Sequence, residues 1–505
     1  GMEAWLYDED RWPSGAAGGY VTANADYRMR FVTVDVVENP EQINWKDEAI
    51  VAVFAGQVAC TEGCCIRKVT KNGNSELGRT ESLLVFRIIQ PELDSWFNGY
   101  TYPDTLNREA VRRFIEVTHE AYRERVGDAF GQTIPGIFTD EPHPGGKFWS
   151  VGHVAVDSGL PWTGTLPDVF ETRYGYDIRA YLPHLFFDLQ DEDTVPFRRD
   201  YHDCVTFMFC EAFAKQIGTW CENHSLLFTG HVQVEATLSS QSGLVGSCMR
   251  FYEHMQAPGM DLLTEYRREY DTAKQVSSVA RQFGRRWRLT ETYGCTGWDF
   301  PFAGHKALGD WQVAMGINLR CQHLSWYTME GQAKRDYPAS ISYQSPWWEH
   351  YAYVEDYFAR INAVMTRGAE IRDLLVIHPV ESTWTRIREG WRDDPEVKRY
   401  DLTLRDLRDT LLAENIDFDY GDEDILSRHG KVRKNGHEPV FEVGQAEYKA
   451  VIVPPMITMR SSTRKLLQDF RNAGGVVMFA GEPPQRLDGK ISEEPKRLAA
   501  ACGNC

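Results

Sequence analysis

The stretch Pro135 to Gly146, "PGIFTDEPHPGG", sets two adjacent acids at the end of a short apolar run. Gly136–Thr139 reads as a buried strand, Asp140 and Glu141 stand at its exit, and Pro142 with Gly145 and Gly146 marks a loop. Before it, "NREAVRRFIEVTHEAYRERVG" is helical, with Val111, Phe114, Ile115 and Thr118 on one face and Asn107 as N-cap. After it, "DCVTFMFCEAFAKQIGTWCENH" is a second helix, and strand patterns follow at Leu227–Val234, Asp261–Thr264, Trp287–Thr290 and Ile317–Leu324. Strands alternating with helices predict a parallel α/β sheet, and at this length a (β/α)8 TIM-type barrel. With "AWLYDE" near the start the chain supplies about six barrel strands, two short of closure.

The organisation read from the sequence has four parts. Residues 1–25 hold a barrel strand and its loop, 26–93 a small β-rich insertion, and 94–368 the remainder of the barrel. From 369 to 505 the pattern restarts as a doubly wound α/β unit resembling the glutamine-amidotransferase-like module. Those amidotransferases place a cysteine nucleophile in a tight turn after a strand. Here "YKAVIVPPMITM" leaves its strand through Pro454, Pro455 and Met456, so a structural role is expected. A strand under way almost from Gly1, and an abrupt far end, suggest a fragment of a longer protein.

The composition is that of a globular protein: 505 residues, 42% hydrophobic and 25% charged. A net charge of -18 argues against nucleic acid or anionic lipid as partner. No apolar run approaches the roughly 18 residues of a membrane span. The 15 Trp and 23 Tyr serve core packing or stack on sugar rings. Eleven cysteines cluster only as Cys60, Cys64 and Cys65 and as Cys502 and Cys505, without zinc-ribbon spacing. Reduced thiols in a cytoplasm are therefore expected.

Walker, H-E-x-x-H and G-x-S-x-G signatures are absent, which leaves acids at strand ends. In a (β/α)8 barrel these ends form the active-site mouth. Asp8, Glu9 and Asp10 follow the first strand, Asp140 and Glu141 the next, then Glu235, Glu265 and Glu291. Such a mouth suits glycoside hydrolysis, which needs one protonated and one ionised carboxyl. Strand alternation turns only one of Asp140 and Glu141 inward. Glu141 has the longer reach, and Pro142 biases it toward extended backbone, so it is the expected acid and Asp140 an orienting neighbour. In "LTETYGCTGWDF", Glu291 is the expected base or nucleophile, framed by Tyr293 and Trp298 as a sugar subsite. His231, Gln233 and Glu235 share a strand face: inward they contact substrate, with Glu235 an alternative acid, and outward His231 is a core residue. In "YPASISYQSPWWEHY", Trp347 and Trp348 form a stacking wall or pack under a helix, and Lys334, Arg335 and Asp336 just before it are weaker candidates for binding hydroxyls.

"AWLYDEDRWPSGAAGG", "GIFTDEP" with its preceding helix, and "RLTETYG" resemble large bacterial glycoside hydrolases of the α-L-rhamnosidase type, family 106 and relatives. The likeness runs from Ala4 to about Trp348. It implies a catalytic barrel with a general acid after the fourth strand and a general base after the seventh, roles that fall on Glu141 and Glu291. "WLYDED" is then the third strand, with two strand–helix units missing. The resemblance also implies inversion at the anomeric centre, a glycoside or oligosaccharide as substrate, and calcium near it, possible at mouth acids such as Glu235. Rival readings are a retaining β-galactosidase-like enzyme and a non-catalytic carbohydrate-binding protein.

Overall fold

The computed structural model describes residues 2–57, 66–69, 81–189, 191–325, 328, 330, 337–338, 341–436 and 438–502. Six parallel strands lie side by side in chain order: Leu6–Tyr7, Gly136–Asp140, Leu227–His231, Ala257–Leu262, Leu289–Thr292 and Leu319–Gln322, numbered one to six below. Helices cover the connections, among them Arg108–Phe114, Thr194–Phe209, Tyr270–Gln282 and Phe302–Ala314. In strand two Gly136 to Thr139 are all buried. A parallel strand covered on both faces needs no polar alternation, hence the continuous apolar run.

The sheet is strongly curled. In a flat sheet strands two and five would stand about 14 Å apart. Yet Nε2 of His231, on strand three, lies 2.8 Å from Glu291 of strand five and 3.5 Å from Asp140 of strand two. Only a half-barrel wall brings these side chains together.

Strand boundaries differ from those read in the sequence. Strand three stops at His231 because Val234 sits at a φ of 59°, outside the extended region. Strand four begins at Ala257, so Asp261 lies within it rather than at its start, and strand five runs to Thr292.

The insertion is a five-stranded antiparallel sheet containing Arg30–Val37, Ile50–Gly56, Arg67–Lys68 and Ser82–Ile89. It is not confined to 26–93, since Leu160–Trp162 pairs along Arg30–Val32 as its edge strand. Beyond the half-barrel, a second parallel sheet has the order Phe418–Asp422, Leu374–His378, Ala450–Val453, Val476–Phe479. Helices Pro395–Ala413 and Ser461–Asn472 connect its strands. A three-stranded antiparallel addition, Gly430–Asn435, Glu438–Val443 and Ala446–Tyr448, interrupts it. One continuous apolar core runs through half-barrel and second sheet.

Candidate active site

The mouth is built from strand exits. Asp8, directly after strand one, is fully buried and accepts a hydrogen bond from Ser14 Oγ at 2.5 Å. Glu9 accepts backbone N–H bonds from Gly15, Ala17 and Gly18. Both acids organise their own loop, whose amides and hydroxyl need acceptors; Asp8 is closed off from solvent, while Glu9 is half-buried. Ser14 carries this order to strand two: its Oγ also accepts from the Asp140 N–H at 2.8 Å, and its own N–H donates to the Asp140 carbonyl.

Asp140 and Glu141 do not part company as alternation requires. Glu141 has a φ of 50°, in the left-handed region, despite the proline that follows. The turn replaces the expected extended backbone and lets both acids serve one mouth. Tyr7 donates from its hydroxyl to Asp140 Oδ2 at 2.5 Å. Asp140, His231 and Glu291 bring their polar atoms within 4.8 Å of one another. His231 is buried and faces inward, with Nε2 at 2.8 Å from Glu291 Oε2. Glu291 Oε1 lies 3.7 Å from His323 Nε2. Glu235 is buried nearby and accepts from the Tyr252 hydroxyl at 3.1 Å.

Proton affinities divide across the mouth. Burial pushes the Glu141 carboxyl up to about 8, with Asp140, Glu235 and Glu291 adding repulsion against the pull of His231. Burial, then Glu291, raises Asp140 to about 6, and burial raises Glu235 and Asp8 to about 7. Asp261 is pushed well up by burial and by Glu291. Glu291 goes the other way. Burial opposes its charge, but the hydrogen bond and charge of His231, with His323 behind, hold it below the ordinary carboxylate range.

Several expected contacts are elsewhere. Tyr293 is fully buried, takes a hydrogen bond from Arg320 at 3.0 Å, and packs against His305, so it is core and not a sugar subsite. Its φ of 78° turns the ring away from the strand face. Gln233 and Glu235 lie past the end of strand three, not on its face, and the Gln233 Oε1 is buried without a partner. The acid that strand four supplies is Asp261, in register with Glu291, rather than Glu265. Trp298 is on an exposed loop, Trp347 packs edge-on to Phe302, and Trp348 stacks on Tyr351. Lys334, Arg335, Asp336, Cys60, Cys64, Cys65 and Cys505 lie outside the described residues. Sequence reasoning missed Tyr7, Tyr252, Asp261 and His323. Only Asp261 had a usable signal, its place two residues beyond Gly259 in an apolar run.

A curled parallel sheet whose mouth holds one carboxyl pushed up and another held down in proton affinity has the layout of a glycoside hydrolase. A family model described as alpha-L-rhamnosidase, glycoside hydrolase family 106, matches residues 98–500. The chain belongs to that family. It is similar in structure to a rhamnosidase from Novosphingobium sp. PP1Y, with a TM-score of 0.61 and 17% identity over 87% of this chain and 42% of that one. The β-galactosidase from Rahnella sp. R3 superposes with a TM-score of 0.53 and 14% identity, over 77% of this chain and 57% of that one. In sequence, the chain is 24% identical over 392 residues to a putative beta-glucuronidase of Formosa agariphila, 76% of this chain and 30% of that protein. The chain thus spans less than half the length of that relative and of the rhamnosidase. No helix among the described residues is long and apolar enough to cross a membrane.

Proposed function

We propose that the chain carries the catalytic mouth of an α-L-rhamnosidase-like hydrolase that removes a terminal neutral sugar with inversion. In this reading the six strands are the third to eighth of a (β/α)8 barrel. Glu141 protonates the leaving oxygen, and Glu291 takes a proton from the water that attacks the opposite face of the sugar. The observation that carries it is the split in proton affinity: Glu141 is raised to about 8 while Glu291 is lowered. A neutral sugar is favoured over the uronate that the relative's name suggests. Glu291 is held ionised and His231, the cation beside it, is already bonded to it, so a uronate carboxylate would meet charge of its own sign. The second α/β unit serves as a structural brace, since Pro454 and Pro455 stand where an amidotransferase-like module carries its nucleophile.

Calcium, implied by the family resemblance, does not suit the groups that converge. Among the described residues these are Asp140, His231 and Glu291, and Nε2 of the central imidazole is already bonded to a carboxylate. Calcium takes roughly six to eight oxygen ligands. No step here passes through it.

The test is hydrolysis of a nitrophenyl α-L-rhamnoside and of the matching β-D-glucuronide, with the first-formed anomer followed by NMR. Release of the inverted sugar from the rhamnoside alone is the expected result. A retained anomer would make Glu291 a covalent nucleophile. Binding without turnover would leave a carbohydrate-binding protein.

A further inference from the structure

His231 stands on strand three between the acid of strand two and the acid of strand five. We infer that His231 is the positioning residue that keeps Glu291 ionised and leaves one of its oxygens free for the reaction. The inference rests on the reading of Glu291 as the base.

Geometry carries it. The ring's Nδ1 faces the Val232 carbonyl oxygen at 3.4 Å, and its Nε2 faces Glu291 Oε2 at 2.8 Å, with Asp140 Oδ1 at 3.5 Å. A carbonyl oxygen and an ionised carboxylate accept and do not donate. Either neutral tautomer would set a ring lone pair against one of these oxygens. With Glu291 ionised, only the imidazolium, with a proton on each nitrogen, satisfies both sides. The other filled arrangement, a neutral ring accepting at Nε2 from a protonated Glu291, is opposed by the acids around the ring, which favour its charge. The groups facing it across the mouth are Asp140, Glu141, Glu235, Asp261 and Glu291, with His323 as the other base. One cation thus serves five carboxyls, and its short bond goes to Glu291. That bond occupies Oε2. Oε1 has His323 at 3.7 Å, beyond hydrogen-bond length, and is the oxygen left to take a proton. Burial alone would discharge the ring, yet the acids around it raise its proton affinity well above the ordinary range.

The inference separates from a merely structural histidine in two ways. With Asn in place of His231 a neutral donor fills the space without the charge. Glu291 then keeps only His323 beside the surrounding acids, and its proton affinity rises. In H231N the acid limb of the pH–rate profile on a nitrophenyl rhamnoside moves up by at least about one unit. The rate therefore drops by up to about tenfold for each pH unit the limb moves at pH values below the parent's acid limb, and by little at pH 7, while KM stays within about threefold. An acid limb that does not move overturns the inference. The second measurement needs no activity and no variant at His231: NMR titration of the ring protons of the unsubstituted chain labelled in histidine, beside E291Q. One ring keeps its proton above pH 8, and E291Q lowers the pH at which it is lost. If every ring in the unsubstituted chain is neutral by pH 7, the inference is wrong. Should the chain hydrolyse neither glycoside, the assignment of Glu291 as base falls, while the ring titration still decides the charge on His231.

Discussion

Glu141 holds a left-handed backbone in front of a proline, a conformation that costs on the order of 1 kcal/mol or more. The turn puts a carboxyl whose proton affinity burial raises in the same mouth as one that His231 holds down, which is the compensation the proposed reading assigns to it. The pH dependence follows with its sign. In the proposed reading hydrolysis needs the proton on Glu141, which is lost as pH rises through about 8, so the rate falls on that side. It needs the charge on Glu291, so the acid limb lies below the usual glutamate range. E141Q is expected to lower kcat about 100-fold or more and to abolish the alkaline limb, as read from kcat/KM against pH. A variant that keeps the limb would put the acid elsewhere, first at Glu235. At this scale residue type and strand position were enough to bring Glu141 and Glu291 forward from the sequence, and both stand at the mouth. Its alternation argument separated Asp140 from Glu141 wrongly, since no glycine marks the left-handed turn. Tyr293 misled for the same reason: beside an acid it looks like a sugar platform, but a φ of 78° sends the ring into the core.

The pairing of strands two and three sets Asp140 opposite His231, one step beyond Thr139 opposite Gly230. Gly230 has a φ of 114°, and a Cβ there would lie 1.8 Å from the Thr139 carbonyl oxygen. No flexible side chain can give way at that contact. G230A should therefore cost about 3 kcal/mol or more, seen as a lower urea midpoint, and should push His231 away from its acids. A loss below about 0.5 kcal/mol would mean that the strands part without strain. The number and order of the six strands were legible because each is an apolar run followed by polar residues. Their ends were not. Val234, Thr264 and Tyr293 take left-handed backbone at three successive exits, and β-branched or aromatic residues there read as more strand. Leu160–Trp162 escaped for another reason: a three-residue edge strand has no period of its own, and its partner Arg30–Val32 is far away in the chain.

The two α/β sheets meet through charge as well as through the apolar core. Arg250, from the half-barrel, bonds Asp203 at 2.7 Å, Glu381 at 2.6 Å and Asp422 at 3.0 Å, and all four groups are buried. Arg460 returns from the second unit to Asp203 and Glu381, and Arg199 adds a further bond to Glu381 at 3.0 Å. Glu381 lies just past the exit of the Leu374–His378 strand, beside which the order of the second sheet reverses. In doubly wound sheets a ligand occupies that crevice. Here guanidinium groups reach the exit, which favours bracing over a second chemistry. None of this was legible in the sequence. The partners stand 47 to 257 residues apart, and a lone arginine carries no sign of its contacts. Removing Arg250 leaves Asp422 charged without a guanidinium bonded to it, and leaves Asp203 and Glu381 to Arg460 and Arg199, at a cost of about 3–5 kcal/mol. R250M should lose that much and, since the three acids that Arg250 bonds face the joint, unfold in two steps where the parent unfolds in one. Trp384, whose ring lies 4.9 Å from the Arg250 guanidinium, reports on the joint by fluorescence during urea unfolding. A single transition with a loss under about 1 kcal/mol would show that the apolar core alone holds the two sheets together.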